Sequence, residues 1–152
     1  MGIEDTLRAM GLTLPPPREW PPNRCGAVRT GSLVFVSGHM PTDPALLVGK
    51  VGADLTLEQG YLAARSTALN CFASVKALLG SLDTVKRVIK LLGFVNAAPG
   101  FSNPSAVIDG ASDLILELWG EARGRHARSA VGLFELTRIQ PVEIEMILEV
   151  ED

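Results

Sequence analysis

The C-terminal segment PVEIEMILEVED, residues 141–152, sorts its side chains with a period of two. Val142, Ile144, Met146, Leu148 and Val150 fall on one side, and Glu143, Glu145 and Glu149 on the other together with Ile147. Only an extended strand places residues i and i+2 on a common face. A strand with one apolar row cannot bury that row alone, so it calls for neighbouring strands and a layer packed against them. The chain supplies such neighbours. In CGAVRTGSLVFVSG, Cys25–Gly38, two apolar runs flank Thr30-Gly31-Ser32, the pattern of a β-hairpin. Its second arm, Leu33 to Val36, is apolar on both faces, as a central strand requires. VKRVIKLLGFV, Val85–Val95, mixes β-branched residues with lysine and arginine and reads as a further strand, and so does the middle of HARSAVGLFEL, His126–Leu136. The last two strands are joined by about three residues, Thr137 to Ile139; they can pair as a hairpin, or Pro141 can end that pairing early.

The packing layer is helical. Thr56-Leu57-Glu58-Gln59 has the capping-box spacing, and a stripe from Tyr61 through Ala64, Ala68, Cys71, Phe72 and Val75 continues to Leu79 before Gly80 ends the helix. Its alanine-rich face is expected close against a sheet. Pro104 suits the first turn of a second helix, whose core stripe of Val107, Ile108, Ala111, Leu114, Ile115 and Leu118 runs to about Trp119. EARGRHAR then reads as a basic turn. Ahead of these elements, Ile3, Leu7 and Met10 mark a short helix, and LPPPREWPPNR, Leu14–Arg24, forbids regular structure; it reads as an extended arm anchored by Trp20. Residues 1–24 thus form a helix and arm attached to a body at 25–152, one domain overall. The order of the body is β-β-α-β-α-β-β, an α+β fold with two helices on one face of a mixed sheet. Strands apolar on both faces leave the second face in need of cover, and another copy of the chain is the natural cover.

Composition narrows the functional classes. With 152 residues, 47% hydrophobic and 20% charged, the chain is globular rather than disordered, and its formal charge of −3 does not favour nucleic acid. Cys25 and Cys71 are too far apart to suggest a metal site or a disulfide framework. No apolar run reaches membrane-spanning length, and the N-terminus lacks the pattern of a secretory signal, so the cytoplasm is the expected compartment.

One residue asks for a function. Arg128 stands among small residues at the start of a strand, and arginine is rarely buried unless an anion meets it. Spacing alone does not pair it with Glu143; on spacing alone both are rim charges. Glu145 shares the face of Glu143, where like charge raises one carboxyl pKa if the surroundings are dry. His39 follows Ser37-Gly38 at a strand end, where site residues often lie, with a structural role equally open. His126, and the Arg123-Gly124-Arg125 turn beside it, read first as solvated surface. Phe101, in NAAPGFSN, reads as a loop anchor. No convincing Ser-His-Asp or Cys-His set is present.

These segments together resemble the Rid family, also called the YjgF family, of enamine/imine deaminase-like proteins. The likeness is carried by AVRTGSLVFVSGHMP (Ala27–Pro41), by the long helix and following strand, and by HARSAVGLFEL followed by PVEIEMILEV, from about residue 23 to the end. The resemblance implies a chorismate-mutase-like fold and a homotrimer whose sheets form a central barrel with three inter-subunit clefts. In such a cleft Arg128 would grip a substrate carboxylate through its two-pronged guanidinium, and Glu143 would order the attacking water. Ser37 and Gly38 would shape the wall, and Phe101 would line it. The reaction implied is hydrolysis of a small 2-imino acid or enamine to a 2-keto acid, with no metal and no organic cofactor. The chain departs from the family pattern at Pro22-Asn23-Arg24, where a Gly-Pro-Tyr stretch is usual, at Ala130, where cysteine is frequent, and at His39, where glutamine is usual. Arg24 would then add a second cation, suiting a larger or more anionic ligand. The alternative is a non-catalytic trimeric binding protein for a carboxylate metabolite resembling a 2-keto acid. A ribonuclease, a label some relatives carry, fits the acidic chain least well.

Overall fold

A computed structural model describes residues 2–46 and 48–152. Its elements are α1 (Ile3–Ala9), β1 (Ala27–Thr30), β2 (Leu33–His39), α2 (Leu57–Leu79), β3 (Val85–Asn96), α3 (Pro104–Gly124), β4 (Ala127–Leu133) and β5 (Val142–Val150). The strands form one sheet in the order β1-β2-β5-β3-β4. All neighbours run antiparallel except β3 and β4, which are parallel. α2 lies across β2 and β5, and α3 across β3 and β4, both on the same face.

The local signals explain most boundaries. The Thr56 hydroxyl accepts from the Gln59 N–H while the Gln59 side chain accepts from the Thr56 N–H, so two donors at the start of α2 are satisfied reciprocally. Gly80 closes α2 in the left-handed conformation, φ 85°. The Asn103 side chain accepts from Ala106 N–H at the start of α3, with Pro104 in its first turn. α3 does not stop near Trp119. Gly120 breaks the helical backbone, φ 69° and ψ 175°, and one more turn follows to Gly124, so the first half of the expected basic turn is helical.

β4 and β5 do not form a hairpin. β3 lies between them, and Thr137–Ile139 is a tight turn that carries the chain past β3. The α3 crossover from β3 to β4 is the usual way to join parallel neighbours.

Register sorts the sheet into two faces. Towards the helices run Val34–Leu148–Val88, Val36–Met146–Leu91–Arg128, and His39–Ile144–Gly93–Ala130. Apart from Arg128 and Ala130 at the edge, and Gly93, these side chains are buried in the core. Away from the helices run Val28–Phe35–Ile147–Lys90–Ala127 and Glu143–Phe94–Val131. On that open face Val28, Leu33, Phe35 and Val131 are all exposed. Gly110 sets the distance between the helices: a Cβ there would overlap the Tyr61 carbonyl oxygen on α2.

Candidate functional site

The alternation of β2 breaks after Val36. Val36 pairs with Met146 and His39 with Ile144, so Ser37 and Gly38 together face one residue, Glu145. This is a β-bulge, and its extra residue changes which face the strand end presents. Uninterrupted alternation would set His39 beside Phe35 on the open face; the bulge turns it into the core. His39 is fully buried. Its Nδ1–H donates to the Ser37 carbonyl at 2.6 Å, so Nε2 accepts from the Ser74 hydroxyl at 2.7 Å. Trp20 meets the ring edge-on at 5.2 Å between centroids. Burial pushes its pKa down, offset in part by the Ser37 carbonyl. Of the two roles open to His39, these contacts describe the structural one: it ties the bulge to α2 and receives the anchor of the proline-rich arm.

The same bulge brings Gly38 onto Glu143. A Cβ at Gly38 would stand 2.9 Å from Glu143 Cδ, so the missing side chain is the space the carboxylate occupies. Ser37 is half-buried, its hydroxyl donating to the Cys25 carbonyl at 2.6 Å. Glu143 has a raised pKa, first because burial strips water from it and second because Glu145 adds like charge; the Arg18 guanidinium offsets part of this. The shared face of Glu143 and Glu145 thus has the consequence expected of it. A partly desolvated carboxyl of this kind suits proton transfer to or from a bound water.

Arg128 lies on the other face of the sheet, at the β4 edge. Nη1 donates to Asp109 at 2.7 Å and to the Ser112 hydroxyl at 3.1 Å; Nη2 donates to the Ser105 hydroxyl at 2.7 Å and more weakly to its carbonyl. Ser105, Asp109 and Ser112 recur at helical spacing on α3, a polar stripe facing the β4 edge. That stripe was readable in the sequence beside the apolar one and was missed. Beyond Ser112, His126 Nδ1–H donates to the Gly124 carbonyl, so Nε2 accepts from the Ser112 hydroxyl at 3.0 Å. His126 is therefore half-buried and bonded rather than solvated, with its pKa lowered by burial first and by the Arg128 charge also. Arg123 is likewise engaged, donating to the carbonyls of Lys86 and Val85.

Phe101 packs on the core beside Gly52, whose φ of 97° and lack of Cβ admit the ring. Arg24 is exposed, bonded to Asn23, and lines a cavity at the end of β2, away from Arg128. The structure thus gathers Ser37, Gly38 and Glu143, sets His39 behind them in the core, and leaves Arg128 on the opposite face of the same chain.

A mixed sheet backed by two helices, one face apolar and open, with a desolvated carboxylate at a bulge and an arginine held at the far edge, defines the class: an α+β protein of chorismate-mutase-like fold. Comparison with known proteins places it further. Residues 4–139 match the family model described as "YjgF/chorismate mutase-like, putative endoribonuclease". The chain is 41% identical to Protein TCP17 of Trypanosoma cruzi, over 99% of this chain and 95% of that protein. Among solved structures, Atu1372 of Agrobacterium tumefaciens is 41% identical with a TM-score of 0.89, covering 98% of this chain and 92% of that one. A protein of Shewanella oneidensis MR-1, described as a putative endoribonuclease, is 31% identical with a TM-score of 0.92, covering 99% and 100%. The chain belongs to the YjgF (Rid) family. The match reaches back through the proline-rich arm, earlier than the resemblance drawn from about residue 23.

Proposed function

We propose that this protein is a Rid-like hydrolase that converts small 2-imino acids or enamines to 2-keto acids, in clefts formed between copies of the chain in a homotrimer. The observation that carries this reading is Glu143: a half-buried carboxylate of raised pKa, seated against Gly38, on a sheet face left open and apolar. Arg128 and Glu143 lie on opposite faces of one chain, so a cleft using both needs residues from two copies. The exposed Val28, Phe35 and Val131 supply an apolar surface for that association.

In this cleft the substrate carboxylate binds the Arg128 guanidinium, exchanging with Asp109, which is 48% exposed and so easily rehydrated. Glu143 orders water and accepts its proton as the oxygen attacks C2 of the imine. The proton passes to nitrogen, the C–N bond breaks, and ammonia leaves with a 2-keto acid remaining. Ser37 and Gly38 hold the wall behind Glu143, and Phe101 supports the loop that leads to Ser105.

A second reading has its own support. The Arg128 fork is already engaged by Ser105, Asp109 and Ser112, and Ala130 stands beside it without a thiol. This favours a protein of the same assembly that binds a carboxylate metabolite without turnover. The ribonuclease reading is weaker still, because His39 is in the core and His126 is bonded on both nitrogens.

The test is a coupled assay in which an amino-acid oxidase generates imino acids and semicarbazide traps those that survive. Reduced trapping with the wild type, lost in Arg128→Ala and in Glu143→Gln while the assembly persists, is the expected result. Unchanged trapping for every imine, with 2-keto acids still raising the melting temperature, would establish the binding protein instead.

A further inference from the structure

The cavity at the end of β2 is lined by three arginines from two distant parts of the chain. Arg18 and Arg24 come from the middle and the end of the proline-rich arm, and Arg138 from the turn between β4 and β5. It measures about 430 Å³, and no carboxylate lies on its wall. None of the three guanidinia forms an ion pair among the described residues. Like charges brought together without a counter-charge repel one another, which is tolerated where an anion is to be bound.

Two of them are held in place. Arg18 stacks over Trp20 with its guanidinium carbon 4.5 Å from the ring centroid, and Trp20 in turn abuts His39. Arg138 sits at φ 57° and is followed by Ile139 at φ 56°. Left-handed backbone at a β-branched residue is disfavoured, and strain of this kind gathers at sites that need a side chain in one place. The turn is pinned from outside, by the Ile139 carbonyl accepting from Gly49 N–H at 2.8 Å. Met40 of the cavity wall follows by two residues Gly38, against which Glu143 is seated, and the Arg18 charge offsets part of the rise in the Glu143 pKa.

We infer that this cavity is a second anion subsite and that the ligands of the protein are dianions: 2-keto or 2-imino acids whose side chain ends in a carboxylate or a phosphate. One anionic group binds Arg128 as proposed above, on which this inference rests. The other is received by Arg18, Arg24 and Arg138, and the reacting carbon lies between them, at Glu143. The proline-rich arm then does more than cover the surface: it carries two of the recognition residues, Arg18 and Arg24.

The experiment is calorimetric titration of the wild type with three unreactive 2-keto acids at fixed ionic strength: 2-ketobutyrate, with one anionic group; 2-oxoglutarate, with a second carboxylate; and 3-phosphohydroxypyruvate, with a phosphate. At least one dianion is expected to bind about tenfold more tightly than 2-ketobutyrate, the scale of a charge-assisted hydrogen bond at a solvated site. The identity of the tighter dianion distinguishes carboxylate from phosphate. Arg138→Gln should erase that advantage, and so should Arg138→Gly, which accepts the left-handed backbone and removes only the side chain. Equal affinity for all three acids, or an advantage that survives both substitutions, would overturn the inference. Failure of the Arg128 reading looks different: Arg128→Ala would then leave all affinities unchanged while Arg138→Gln still removed the dianion preference. Binding of none of the three would sink both.

Discussion

The two faces of the sheet are built from the same strands and treat their side chains in opposite ways. On the helix side, Val34, Leu148, Met146 and Leu91 are dry, and α2 and α3 approach so closely that Gly110 has no room for a methyl group. On the open side, Phe35 is 44% exposed and Val28 54%, with Glu143 and Glu145 among them. The first face secures the fold of one chain. The second leaves Val28, Leu33, Phe35 and Val131 exposed and carries the half-buried Glu143 carboxylate at one end. On the function proposed above, packing within the chain and chemistry between copies fall on different sides of one layer.

Substitutions should separate the two faces. The largest effect belongs to the helix side. Leu148→Ala removes a fully buried side chain and should cost about 2–5 kcal/mol in urea unfolding. Phe35→Ala on the open side should cost under about 1 kcal/mol when measured at concentrations where copies are apart. The same substitution should shift the mass measured by light scattering towards the single chain. If Phe35→Ala instead unfolds the protein as Leu148→Ala does, the open face is part of the intrachain core and the contrast fails.

Arg128→Ala comes next, with 2-keto acid affinity reduced about ten- to hundredfold. Arg128→Lys should not restore it, because an ammonium cannot present two parallel donors. The melting temperature should fall only modestly, since the ion pair with Asp109 is partly exposed.

Gly38→Ala sharpens the comparison from the open side. The new methyl meets the flexible end of Glu143 rather than backbone, so the fold should survive while Glu143 is displaced and imine hydrolysis drops. Gly110→Ala is its counterpart on the helix side: there the methyl meets the Tyr61 carbonyl, and stability should fall by about 1–3 kcal/mol.

The smallest effect is the pH dependence of Glu143. Its pKa in the fold lies above the ordinary 4.5, so the native state holds the proton more tightly than the unfolded chain. Its contribution is fully present below 4.5 and is lost as pH rises through the raised value. Urea midpoints of the wild type should therefore fall across that window relative to those of Glu143→Gln; parallel curves would show that the carboxylate is fully solvated.

The period-two pattern of residues 142–150, the Thr56–Gln59 capping box and the Gly80 stop each rest on residues a few positions apart, so the sequence alone determined those elements and which side of β5 is buried. It also determined that the sheet has a face its own helices cannot cover, because strands apolar on both sides demand two layers. Only the tertiary structure decided the rest. That β4 pairs with β3, leaving Arg128 and Glu143 on opposite faces, depends on strand pairing across long separations, which local pattern does not encode. That His39 enters the core depends on one extra residue at Ser37-Gly38, since a single-residue bulge exchanges the two faces of everything after it. That Arg18, Arg24 and Arg138 surround one cavity depends on where an arm without regular structure is laid down, and Arg138, more than a hundred positions from the other two, meets them only when the fold brings it there.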